Sequence, residues 1–214
     1  MSAPAERKPR GRPSEGVREA ILAATLDLIT AQGLARLTTK EIAARASVAE
    51  ASIYYHFGDK KGLVEGVILD AVLRPLREFT ASFAERVAGK SVRDALVDYG
   101  LALESFWKRV LPVLSAVQAD VELRDHFRER IRELGLGPHR GVRVVAVYLA
   151  EQQRAGLLRE GADVRATAFS VASVCFLSAY ETHMLGPTAR DKLPTVEAAV
   201  TTLARLIERS DSRP

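Results

Sequence analysis

The chain holds 214 residues, 47% of them hydrophobic and 27% charged, with a formal net charge of +4. That balance suits a soluble globular protein of one domain or two small ones, with a sizeable core. It excludes a membrane-spanning chain, since no apolar run nears the roughly 20 residues a span needs. The single cysteine, Cys175, rules out an internal disulfide and fits a reducing, cytoplasmic setting.

Charge is unevenly placed along the N-terminal third. Arg7, Lys8, Arg10 and Arg12 stand against Glu6 in residues 1–13, a net of +3, whereas residues 14–66 carry a net of −1. The basic start runs into proline, glycine and polar residues rather than an apolar stretch, so it does not read as a secretory signal. Pro9-Arg10-Gly11-Arg12-Pro13 matches the core of an AT-hook. Prolines hold such a segment extended, glycine permits close approach, and arginines seek the negative potential of a narrow minor groove. A solubilising tail is the plainer reading of the same residues.

Nearly every later segment repeats at helical period, and none alternates as a strand. From Glu15 to Ala31, Ile21, Leu22, Thr25, Leu26, Leu28 and Ile29 form one stripe, closed by Gly33. In "LTTKEIAARA", Thr38 with Glu41 three residues on makes a capping box that opens a short helix. Ser47-Val48 breaks it, "AEASIYYHF" makes another short helix, and Gly58 ends that one. Asp59 caps a long helix from Lys60, which Pro75 is expected to kink or divide.

On the third helix, a step of roughly 100° per residue sends Ile53 and Phe57 inward and Ala51 and Tyr55 outward. Two short helices with a break between them have the layout of a helix-turn-helix, whose second helix enters the DNA major groove.

The run "LTTKEIAARASVAEASIYYHFGDKKGL" closely resembles the DNA-binding region of the tetracycline-repressor (TetR) family of bacterial transcription regulators. The resemblance is strong over residues 15–66 and extends beyond them only in helix number and rough length. It implies a homodimer that binds a palindromic operator and leaves it when a small-molecule effector enters the C-terminal bundle. It implies phosphate contacts for Thr39, Tyr54 or Tyr55, His56 and Lys60. Base-edge contacts are implied for Ala49, Glu50, Ala51 and Ser52, with Tyr55 suited to either role. Lys60 fits independently, because a cation in the first turn of a helix joins free backbone N–H groups in holding an anion. Glu50 and Ala51 depart from the lysine and glycine frequent in the family. A carboxylate at Glu50 can accept from a cytosine amino group, or simply complement the helix N-terminus; the sequence leaves both open.

The remaining helices are expected at Val92–Val110, Pro112–Ala119, Val121–Leu134, Arg140–Ala155, Val164–Leu185 and Thr195–Arg209. The apolar stretches "VRVVAVYLA" and "ATAFSVASVCFLSAY" fit a dimer interface as well as intrachain core. Tyr99, Leu103, Phe106, Trp107, Leu111, Leu114, Phe127, Phe176, Tyr180 and Met184 are candidates to line an effector pocket, with Gln118, His126 and His183 as polar contacts. Core packing is the plainer reading for each of these apolar residues, and surface exposure for each polar one. The histidines and Cys175 do not share metal-ligand spacing, and no phosphate-binding glycine loop or nucleophile–base motif occurs. No cofactor is expected.

The chain therefore reads as all-α: a basic arm over 1–14, a helix-turn-helix domain over 15–62, and an effector-binding and dimerisation bundle over 63–214, joined by the long helix. The function implied is that of a ligand-responsive repressor rather than an enzyme. An architectural DNA binder without an effector is the alternative.

Overall fold

The computed structural model describes residues 14–81, 83–135, 137–186 and 193–209. Backbone contacts divide the chain into two units, with the boundary between Ala71 and Val72. The expected arm, with Arg10 and Arg12, lies outside the described residues.

In the first unit, α1 spans Ser14–Gln32. It buries Ile21, Leu22, Ala24, Thr25 and Ile29, and the Thr25 hydroxyl donates to the Ile21 carbonyl at 2.7 Å, so its burial leaves no orphan group. Gly33, at φ +80°, turns the chain into a single 3-10 turn at Leu34–Arg36. Helix α2 covers Thr39–Ala46 and opens on the expected capping box: the Thr38 hydroxyl accepts from the Glu41 amide at 3.2 Å, and the Glu41 carboxylate accepts from the Thr38 amide at 3.3 Å. Ser47 closes it in the left-handed conformation, φ 55° and ψ 45°, and so makes the bend that aims the next helix. That helix, α3, runs from Glu50 to Phe57 and ends at Gly58.

Asp59 caps α4, Lys60–Gly66, by accepting from the Gly62 amide at 2.8 Å. The helix continues as a π-helical stretch, Val67–Leu73, and returns to α geometry in α5, Arg74–Ala81. The irregularity expected at Pro75 therefore lies just ahead of it. The π-helical geometry of the preceding turn shifts the backbone bonding where the proline supplies no N–H.

Besides α5, the second unit contains α6 (Phe83–Val87), α7 (Val92–Ala119), α8 (Val121–Glu133), α9 (His139–Arg154), α10 (Val164–Leu185) and α11 (Val196–Ile207). Contrary to the expected division at Pro112, α7 is one helix of 28 residues. Leu111, Val113 and Val117 are buried on either side of the proline, and that packing outweighs one lost backbone bond. Helix α10 packs against α7, α9 and α11. Their shared core holds Leu96, Tyr99, Val145, Leu149, Ala168, Val171, Cys175, Val200 and Ala204. Side-chain caps from Ser91, Asp120, Asp163 and Thr195 start α7, α8, α10 and α11. Among the described residues β pairing is limited to one bridge between Leu158 and Glu208, and no helix is long and apolar enough to cross a membrane.

Candidate nucleic-acid interface

Ile53 is 2% exposed and anchors α3 to its neighbours, while Tyr54 and Tyr55 on the same eight-residue helix are 54% and 83% exposed. Ala49, Glu50 and Ala51 are exposed beside them, and Ser52 and His56 are half-buried. The structure thus collects the expected contact residues of α3 on one outward surface of small side chains and two phenols.

Phe57 is the second inward residue, and its seat accounts for two glycines. A methyl group at Gly66 would come within 2.9 Å of the Phe57 ring, and one at Gly62 would lie 2.2 Å from the Phe57 carbonyl oxygen. Helix α4 can therefore close on the end of α3 only because both positions lack a side chain. The Arg18 guanidinium lies 5.4 Å from the centre of the Phe57 ring and forms an ion pair with Asp70. This joins α1, α3 and the continuation of α4. His56 sits between Tyr55, edge-on at 5.1 Å, and Phe57 at 6.2 Å.

The other expected contacts are differently engaged. Lys60 is exposed, and its Nζ donates to the Leu34 carbonyl at 3.3 Å, which ties the start of α4 to the turn after α1. The Thr39 hydroxyl donates to the Glu50 carboxylate, joining the first residue of α2 to the first residue of α3. Sequence reasoning named both residues without pairing them. Arg18, Gly62 and Gly66 were not named as parts of the interface. The glycines carried a sequence signal, two small residues in the helix facing an aromatic, whereas Arg18 carried none.

The ten pocket candidates do not share one environment. Tyr99, Leu103, Phe106 and Leu111 are buried, and Trp107, Leu114 and Phe127 are half-buried. The Tyr99 hydroxyl donates to the Gly141 carbonyl at 3.0 Å, which makes it a core residue with its polar end satisfied. Burial first, and the neighbouring Cys175 thiol second, push its pKa well above the ordinary tyrosine range. Phe176, Tyr180 and Met184 instead lie exposed on α10, a correction to the expectation of a single enclosed lining. Trp107 meets Phe176 edge-on at 5.1 Å, and Phe176 stacks on Tyr180 at 5.8 Å. Gln118 and His126 are exposed, and the exposed His183 ring nitrogen lies 3.0 Å from the Ser115 hydroxyl. Among the described residues, no group of three His, Cys, Asp or Glu side chains is arranged to hold a metal ion.

Residues 21–67, the segment that builds this interface, match the family model for bacterial regulatory proteins of the tetR family. This segment is a TetR-family DNA-binding region. A curated relative, the uncharacterized HTH-type transcriptional regulator YdeS of Bacillus subtilis (strain 168), is 31% identical over 131 residues. That alignment covers 56% of this chain and 60% of YdeS, so the chain spans less than two thirds of this relative's length. Among solved structures, the fold is similar to that of a protein from Mesorhizobium loti MAFF303099 assigned to the TetR family, with a TM-score of 0.69 and 16% identity. The match covers 93% of this chain and 100% of that one. It is also similar to SmeT in complex with triclosan, with a TM-score of 0.63 and 17% identity, covering 91% of this chain and 93% of SmeT. The matched family is one of bacterial regulatory proteins, and YdeS is an HTH-type transcriptional regulator, not an enzyme. The all-helical architecture, with a TetR DNA-binding region followed by a helical domain, is the one these structures share.

Proposed function

We propose that this protein is a cytoplasmic, ligand-responsive repressor that binds a palindromic operator as a homodimer and leaves it when a small-molecule effector binds the second unit. The observation that carries the DNA reading is the division of α3, with Ile53 sealed inside and Tyr55 presented outward on a face that also carries Tyr54, Glu50 and the small residues Ala49 and Ala51. Small residues let a bulky partner approach, and phenol and hydroxyl groups donate to phosphate oxygens. The N-cap of α3, Ala49, supplies no side-chain cap, unlike Thr38 and Asp59 at the helices on either side. Two such helices from a dimer would enter successive major grooves roughly 34–36 Å apart.

A homodimer is supported by the exposed apolar residues of α10: Phe169, Phe176, Leu177, Tyr180 and Met184, with Phe169 65% and Met184 60% exposed. An exposed stripe of that size is typical of an interaction surface. Helix α9, the other candidate from sequence, buries Val145, Tyr148 and Leu149 and leaves Val147 as its one exposed large apolar residue, so it serves mainly as core. An effector role for the second unit is supported by the triclosan complex of SmeT, a protein of similar fold.

The near-neutral charge of residues 14–66 leaves most phosphate attraction to the arm, with Arg10 and Arg12 as its principal contacts. Removing residues 1–13 should flatten the slope of log affinity against log salt; an unchanged slope would remove the arm from this account. The whole reading is tested by a gel shift with DNA from upstream of the protein's own coding sequence, repeated over a panel of metabolites. The expected result is a retarded complex that one compound dissolves. A complex that no compound affects would favour the architectural alternative, and no complex at all would overturn the proposal.

A further inference from the structure

The pairing of Thr39 with Glu50 has a chemical consequence at the edge of the α3 face. A threonine hydroxyl carries one proton, and an ionised carboxylate only accepts. While Thr39 donates to Glu50, it has no proton left for a phosphate oxygen. The phosphate role expected for Thr39 is therefore incompatible with the arrangement observed. Glu50 is exposed on the first turn of α3, yet it is not a freely rotating surface charge, because one carboxylate oxygen is held from α2.

A fixed, acceptor-only group at the leading end of a recognition helix is selective in two directions. It matches the amino groups that cytosine and adenine present in the major groove, and it opposes the acceptors of guanine, thymine O4 and the phosphates. Its neighbours Ala49 and Ala51 are small and cannot shield it or compete for the same base edge. A cytosine amino group is the fit for a single acceptor, since adenine adds an N7 acceptor beside its amino group, which a carboxylate would face unfavourably.

We infer that Glu50, tethered by Thr39, is a specificity-determining residue that reads the amino group of one cytosine in each half-site. This rests on the DNA-binding reading above. In this arrangement Thr39 is a positioning residue: it holds the carboxylate and makes no phosphate contact of its own. The charge also weakens non-specific binding, because a phosphate near the start of α3 meets a negative group.

The test is selection from a random-sequence duplex library with full-length wild-type protein, Glu50→Gln and Thr39→Val, each checked for unchanged thermal unfolding. Wild type should enrich a motif with cytosine at one position per half-site, preferred about ten- to hundredfold over the other bases. Glu50→Gln should lose that preference or move it toward adenine, which an amide matches on both polar atoms, while the other positions hold. Thr39→Val should blur the same position. A motif whose every position survives Glu50→Gln would overturn the inference and leave the DNA reading intact. Failure of wild type to enrich any motif would instead overturn the DNA reading on which it rests.

Discussion

In the first unit, single polar and glycine positions set the geometry: Thr38 with Glu41, Ser47, Asp59 and Gly62 each hold one backbone turn. In the second, α7 and α10 are held by a continuous core from Leu96 to Ala204, to which Tyr99 with Gly141 and Ser178 with Glu104 add single polar contacts. The difference follows from size. Helices of seven or eight residues bury too little apolar area to fix their own orientation, so caps and close approaches must do it. Helices of 22 and 28 residues settle by packing, and their outward faces are free to vary. One unit therefore carries a face defined residue by residue, and the other a core that tolerates many surfaces.

The comparison predicts which substitutions act through packing and which through a single approach. Tyr99→Ala removes a fully buried ring that touches Phe83 and donates to Gly141. It should cost about 4 kcal/mol, read as the largest fall in melting temperature of the set. Gly62→Ala drives a methyl group into the Phe57 carbonyl and should cost about 3 kcal/mol, disordering the contact between α3 and α4 while leaving the bundle helical. Circular dichroism with amide exchange distinguishes the two: Tyr99→Ala loses protection in α7 and α9, Gly62→Ala in α3. Thr38→Ala removes the capping box and should cost about 1 kcal/mol, seen as faster exchange in the first turn of α2. If Thr38→Ala cost as much as Tyr99→Ala, the contrast between the units would fail.

The smallest effect at neutral pH concerns Cys175. Burial first, and the neighbouring Glu104 charge second, raise its thiol from 9.0 to about 12. The folded unit therefore keeps the neutral thiol after the unfolded chain has begun to ionise. Its contribution to stability is full below about pH 9 and is lost as the pH climbs toward about 12. Melting temperature followed across that range should fall more steeply for wild type than for Cys175→Ala, and the native thiol should resist alkylation at pH 8.

Legibility from the sequence tracked the same division. The capping box, the Ser47 break and the Ile53–Tyr55 opposition are encoded within a few residues, so helical spacing alone reveals them. The Thr39–Glu50 pair joins side chains eleven positions apart, and that contact exists only once the bend at Ser47 has brought two helix starts together. In α10, Phe169 and Phe176 are as apolar as Val171 and Cys175, and a helix apolar on all sides does not announce which face is buried. This is why Phe176, Tyr180 and Met184 were grouped with core residues such as Tyr99. The continuity of α7 through Pro112 was hidden for a related reason, since local propensity argues for a break and tertiary packing overrides it.

The central claim is that Tyr55, on the exposed face of α3, recognises DNA and contributes nothing to holding the fold. Tyr55→Ala tests it most directly, with fluorescence anisotropy on a library-selected duplex and thermal unfolding measured on the same preparation. The account predicts at least a tenfold loss of affinity with a stability change within about 0.5 kcal/mol. Wild-type affinity in Tyr55→Ala, or a loss matched by unfolding, would contradict it.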